Sequence, residues 1–231
     1  MPGCFGQRFG ADGTAKGDEF QVNTYTYRDQ QEPSIAALDN GGFVVTWDSY
    51  YQDSSNTWGI YGKMYDAEGE AESYEFRVNT TTSNNQYQQS VADLDGGGFV
   101  VTWYSDSHSK TFAQIFDRDG SPQGGEFEVS QHSSSYQPEV ARLDGGGFVV
   151  TWEDNTTSND GSGYDIQGQV FDQNGNKVGG EFLANTEITG DQTMHDVTGL
   201  PGTDSGSIGR ASCRARACTD ARADEEQRTV N

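Results

Sequence analysis

Between Cys4 and Cys213 the chain has no cysteine, so its body can hold neither a disulfide framework nor a thiolate zinc site. Cys213 and Cys218 lie near the C-terminal end with no further zinc ligands around them. Basic residues are scarce too. Through residue 206, nine Lys and Arg stand against 32 Asp and Glu, and the whole chain carries −22. Such an acidic body repels phosphate, which excludes nucleic acid and anionic membrane surfaces as partners. It suits divalent cations, high salt or plain solubility. No stretch reaches the ~18 consecutive apolar residues of a membrane span, so no membrane insertion is expected. Residues 1–9 lack the apolar core of a signal peptide. His108, His132 and His195 are isolated, and no metalloprotease, P-loop, nucleophile-elbow or dinucleotide-binding motif occurs. The chain is therefore expected to be non-enzymatic, with no cofactor required.

What the sequence does have is repetition. Gly-Gly-Phe-Val-Val-Thr-Trp occurs at Gly41–Trp47, Gly97–Trp103 and Gly146–Trp152. A second motif runs from an aromatic through a polar turn to Glu-Phe, always over 11 residues: Phe9 to Phe20, Tyr65 to Phe76, Phe116 to Phe127 and Phe171 to Phe182. A third, short and apolar, precedes each Trp motif at Ile35–Leu38, Val91–Leu94 and Val140–Leu143. Each unit reads as four strands. The Asp/Asn-Gly clusters supply hairpin turns, and Phe-Val-Val-Thr-Trp is β-branched and aromatic strand material. No helical stripe of useful length is present.

Four short strands every ~50 residues predict an all-β, β-propeller-like array of four-stranded antiparallel blades. A parallel solenoid fits less well, since its coils are nearer ~20–30 residues with one strand per turn. Complete units fall near residues 34–79, 90–130 and 139–185, and residues 5–23 supply only a third and fourth strand. About three and a half units make an open fragment over residues 1–192, with 193–231 expected as a disordered or artefactual tail. The apolar strand of a further unit is not evident after Gln192. Open β edges then predict self-association, and a frayed N-terminal hairpin.

The pattern Ile60-Tyr61-Gly62-x-x-Tyr65-Asp66-x-x-Gly69, Glu75-Phe76-x-Val78-Asn79 and Val91-Ala92-x-Leu94-Asp95-Gly-Gly-Gly-Phe99-Val-Val-Thr-Trp103 resembles a repeat of large bacterial secreted proteins, described as calcium-binding, RTX or hemolysin-type, or as adhesins. The resemblance covers residues 5 to about 192. It implies a secreted or cell-surface protein, an adhesive, binding or spacer role, and glycans or cell-surface proteins as partners. The Gly-Gly-x-Gly-x-Asp calcium nonapeptide of RTX β-rolls is absent from this chain.

Two sets of site candidates follow. Asp117-x-Asp119-Gly120 and Asp172-x-Asn174-Gly175 place oxygen ligands at alternate positions before glycine, as a calcium loop does, and equally as a hairpin turn does. Calcium is the one ion they leave open. The loops after each Trp offer Asp48, Asp53, Asp106, Glu153, Asp154, Asp160 and Asp165, with Tyr50, Tyr51 and Trp58 as rings able to stack on a sugar. Tyr50, Tyr51, Trp58, Asp106 and Asp154 are the ligand-binding candidates. They support a carbohydrate-binding propeller as the alternative function, and paired carboxylates there a glycoside-directed enzyme as the second.

Overall fold

A computed structural model describes residues 3–53, 56–156, 163–186, 190–200 and 210–213. The chain is an all-β propeller-like array. The hairpin β1 (Phe5–Phe9) and β2 (Ala15–Gln21) comes first. Three complete antiparallel blades follow: β3 (Gln30–Ala37), β4 (Phe43–Tyr50), β5 (Trp58–Tyr65) and β6 (Phe76–Arg77); β7 (Gln86–Asp93), β8 (Phe99–Ser105), β9 (Lys110–Phe116) and β10 (Pro122–Glu128); and β11 (Ser135–Arg142), β12 (Phe148–Asp154), β13 (Asp165–Phe171) and β14 (Lys177–Leu183). A last pair, β15 (Val197–Leu200) and β16 (Arg210–Cys213), forms its own two-stranded sheet. Among the described residues no helix is long and apolar enough to cross a membrane.

The Phe-Val-Val-Thr-Trp strand explains why blades stack. Adjacent side chains on a strand point to opposite faces, and here both faces are interfaces. Val44 packs toward the second blade with Ile60, Met64, Val101 and Trp103, while its neighbour Val45 packs toward the first hairpin with Val22 and Trp47. Val100 and Val150 close the next interface around Trp152 and Phe148. All three tryptophans are essentially without solvent contact. Each blade therefore covers a face its neighbour cannot bury alone, as in other repeat architectures.

Polar side chains of the repeat lock each blade internally and to the one before. Asn23, Asn79 and Asn185 each accept a backbone N–H from 19 residues upstream, at Cys4, Ile60 and Ile166, all at 2.8 Å. In the three complete blades the Glu of the Glu-Phe pair reaches the preceding linker: Glu75 accepts the Thr24 amide at 2.7 Å, Glu126 that of Thr80 at 2.8 Å, and Glu181 that of Gln131 at 2.6 Å. Its Phe lies over a strand glycine. A Cβ at Gly62 would sit 2.9 Å from the Phe76 ring, which is why the third strand carries glycine there.

Two expectations about the ends are corrected. The N-terminal hairpin is not frayed; Cys4, Phe20 and Val22 dock it on Val45, Trp47, Tyr61 and Tyr65 of the first blade. The repeat also continues past Gln192. Val197–Leu200 forms an innermost strand packed on β11, with Val197 buried against Ala141, Leu143 and Val149. Gln192 is buried like Gln30 and Gln86, and Met194 has φ 54° where Glu32, Gln88 and Gln137 have 51°, 59° and 47°. Residues 192–200 thus repeat the backbone of 86–94, with Val197 and Leu200 at the places of Val91 and Leu94 and Thr198 at that of Ala92. The remainder of the expected tail, apart from 210–213, lies outside the described residues.

Candidate functional site

Strand register sorts the candidates onto two ends of the array. Gln31 pairs with Asp48, and Tyr50 with Trp58, so the start of each first strand and the loop after each Trp share one end. The Gly-Gly turns and the Asp-Gly turns share the other.

The calcium candidates lie at that second end, where the Asp117 and Asp172 carboxylates bond within their own turns. Asp117 Oδ1 accepts the amides of Asp119 (3.0 Å) and Ser121 (2.9 Å), and its Oδ2 accepts Gln123 Nε2 at 3.0 Å. Asp172 repeats this with the amides of Asn174 and Asn176, both at 2.9 Å, and Asn176 Nδ2 at 2.8 Å. These bonds, led by the Asn176 side chain, hold the Asp172 carboxyl below its ordinary pKa. Asp119 and Asn174 enter through their backbone amides. The motif is therefore a hairpin turn closed by its own aspartate. Among the described residues no group of three or more His, Cys, Asp or Glu is placed to hold a metal ion.

The first end carries a different surface. On the first blade, Tyr50 and Trp58 lie 5.1 Å apart between ring centres, Tyr50 and Tyr51 6.2 Å, Tyr51 and Tyr27 6.2 Å, and Tyr27 and Tyr25 6.4 Å. Tyr27 and Tyr51 are exposed and Tyr25, Tyr50 and Trp58 half-buried. A second row crosses the next two blades: Tyr87, Tyr104, Tyr136 and Tyr164, at 5.5, 4.7 and 6.1 Å. Asp106 supports both rows. It accepts from the Tyr87 hydroxyl (3.1 Å) and Asn85 Nδ2 (2.8 Å), while Asn85 Oδ1 accepts the Trp58 amide at 3.2 Å. Burial, then the Asp106 charge, pushes the Tyr87 phenol pKa up. Asp154 is not a rim ligand as expected: it is buried and accepts from Thr156 N and Oγ1, both at 2.7 Å.

At this same end, where the innermost strands begin, is a pocket that no linear motif announces. Its volume is about 400 Å³ and its walls are the starts of three innermost strands: Glu32 and Ser34, Gln88 and Ser90, Gln137 and Glu139. Each strand bulges there, with Glu32, Gln88 and Gln137 in the left-handed region. Neighbouring blades hold the bulges. Asp48 Oδ2 accepts the Gln88 amide at 2.9 Å, Gln88 Oε1 that of Gln137 at 3.2 Å, and Glu153 Oε1 that of Met194 at 2.8 Å. Glu139 accepts from Ser90 Oγ at 2.9 Å, and burial lifts its carboxyl pKa. Pocket residues about 50 apart in sequence share nothing but their position in the repeat, so only the axis brings them together.

Asp48 is fully buried, and desolvation raises its pKa well above the ordinary carboxylate value, with the Glu32 carboxylate nearby adding to the rise. Its native pKa exceeds the ~3.9 of the unfolded chain. Its contribution to stability is therefore full below about pH 3.9 and lost as pH rises through the native value. Asp48→Asn keeps an oxygen for Gln88 and removes that loss. Melting points of the two proteins measured from pH 4 to 8 should shift in favour of the variant as pH rises; a pH-independent difference would contradict the assignment.

No family model matches the chain, nor does any curated protein. Solved structures share its fold. A protein of unknown function from Dyadobacter fermentans aligns over 83% of this chain and 54% of its own, with 11% identity and a TM-score of 0.56. A Hadza microbial sialidase aligns over 85% and 43%, at 12% identity and 0.51. The GH43 endo-arabinanase of Bacillus licheniformis aligns over 80% and 73%, at 14% and 0.47. The chain thus spans about half the length of the first two. The first two likenesses establish the fold, and the expectation of a non-enzymatic chain is corrected to this extent: the fold is one that enzymes also use. A sialidase stands among the structures that share it. Missing linear motifs exclude little in a fold whose axial residues come from separate blades.

Proposed function

We propose that the chain recognises glycans at the end that carries both the tyrosine rows and the axial pocket. The observation that carries this reading is the grouping of Tyr27, Tyr50, Tyr51 and Trp58 at the end of the array that also holds a polar cavity. Aromatic faces take the apolar faces of sugar rings, and a few convergent polar groups fix orientation. Glu32 and Glu139 on the pocket wall favour uncharged or basic saccharides over acidic ones. The sialidase and arabinanase neighbours agree with a sugar ligand; the comparisons offer no support for an adhesin-like or calcium-associated role. Glycan-array screening followed by titration tests the reading. Trp58→Ala and Tyr51→Ala should each weaken the best ligand at least about tenfold, or ~1.4 kcal/mol, with the fold retained. A chain that binds no saccharide, or variants that bind equally well, would reject it.

A second reading is glycoside cleavage, favoured by the raised pKa of Glu139, which suits a general acid. Release of new reducing ends, abolished in Glu139→Gln with binding retained, is the result expected of it.

A further inference from the structure

In each complete blade the Phe that opens the second strand stacks on the aromatic that closes the third. Phe43 lies on Tyr65 (5.0 Å, 9°), Phe99 on Phe116 (4.9 Å, 11°) and Phe148 on Phe171 (5.0 Å, 11°). These pairs face each other in register, and four residues on the Trp stands opposite Tyr61, Phe112 or Gln167. The N-terminal hairpin has the third strand, β1, and the fourth, β2, but among the described residues no strand pairs with the other edge of β1. Phe9 occupies the place of Tyr65, Phe116 and Phe171. It is 62% exposed, whereas they are 3%, 3% and 1% exposed. On the facing first blade Ile35 is 65% exposed, whereas its counterparts Val91 and Val140 are 6% and 7%. Between the hairpin and the first blade lies a cavity of about 180 Å³, lined by Phe5, Phe20, Ile35, Phe43 and Val45. It continues the blade-to-blade interface that Val22, Trp47 and Tyr65 already form.

We propose that this slot receives, in trans, an extended segment with the chemistry of the repeat's own second strand, Phe-x-x-x-Trp. The segment would add antiparallel to the free edge of β1, its Phe stacking on Phe9 and its Trp standing opposite Phe5. Main-chain pairing supplies affinity in this mode, and alternate side chains supply selectivity. A folded second copy does not meet the description. Its own Phe-Val-Val-Thr-Trp strands are hydrogen-bonded on both edges and buried on both faces.

The probe is a fluorescein-labelled peptide of residues 41–50 with a Lys-Lys tail, titrated into the full chain and read by anisotropy. Saturable binding in the ~1–100 µM range is expected. Phe9→Asp and Ile35→Asp should each weaken it at least about tenfold. Both side chains are exposed, so melts and circular dichroism should stay unchanged. A peptide with its Phe and Trp both replaced by Ser should not bind. Absence of saturation, equal binding by Phe9→Asp, or equal binding of the Ser peptide would overturn the proposal. So would sedimentation showing a dimer that Phe9→Asp splits and the peptide leaves intact, because the slot's occupant would then be a second copy.

Discussion

Trp103→Ala should lower the free energy of unfolding by about 3–5 kcal/mol, the range for deleting a large buried aromatic. Trp103 is 1% exposed and sits in the interface with Val44, Ile60 and Met64 of the preceding blade. Its ring lies 6.4 Å from that of Phe112, and its Nε1 donates to Gln86 Oε1 at 3.2 Å. The substitution opens a void between two blades and strips a buried amide oxygen of its donor, which adds to the cost. Trp58→Ala, at the edge of the candidate glycan surface, should cost about 1 kcal/mol or less. Urea titration of both variants measures the contrast. Equal small effects would mean that the Trp strand does not hold the blades together.

Gly147→Ala is the second large effect, at about 2–5 kcal/mol. Gly147 has φ +91°, and a Cβ there would lie 2.3 Å from the Phe171 carbonyl oxygen and 3.2 Å from Asp172 Cα. The obstacle is strand backbone, which cannot rotate away as a side chain could. Gly145, two residues earlier, separates the two causes. Its φ is +89° but nothing lies within 4 Å of the added carbon, so Gly145→Ala should show the dihedral cost alone, about 1–2 kcal/mol. Thermal or chemical unfolding of the two variants gives the comparison. Equal losses would show that the close approach to Phe171 contributes nothing.

The sequence by itself determined the blade. The Gly-Gly turn, the Phe-Val-Val-Thr-Trp strand and the Glu-Phe strand are local signals, repeated at matching intervals, and each became the element its residues favour. The phase of the repeat was legible for the same reason: residues 5–21 form a third and fourth strand and nothing more. The innermost strand at Val197–Leu200 escaped notice. What it shares with residues 86–94 is a buried Gln, a left-handed bulge residue and two apolar positions, too little to stand out by hydrophobicity.

Only the tertiary structure decided the site. Asp117 and Asp172 accept the amides of their own hairpins, and Asp154 is buried, neither of which a linear motif shows. The axial pocket joins Glu32, Gln88 and Glu139, residues roughly a blade apart with no common local pattern. Phe9 opens the same aromatic-to-Glu-Phe motif as its buried counterparts, and its exposure follows from the missing stack. Local sequence encodes what each strand is. Where strands from different blades converge, and where one is left without a neighbour, depends on packing between units, and that is a property of the array.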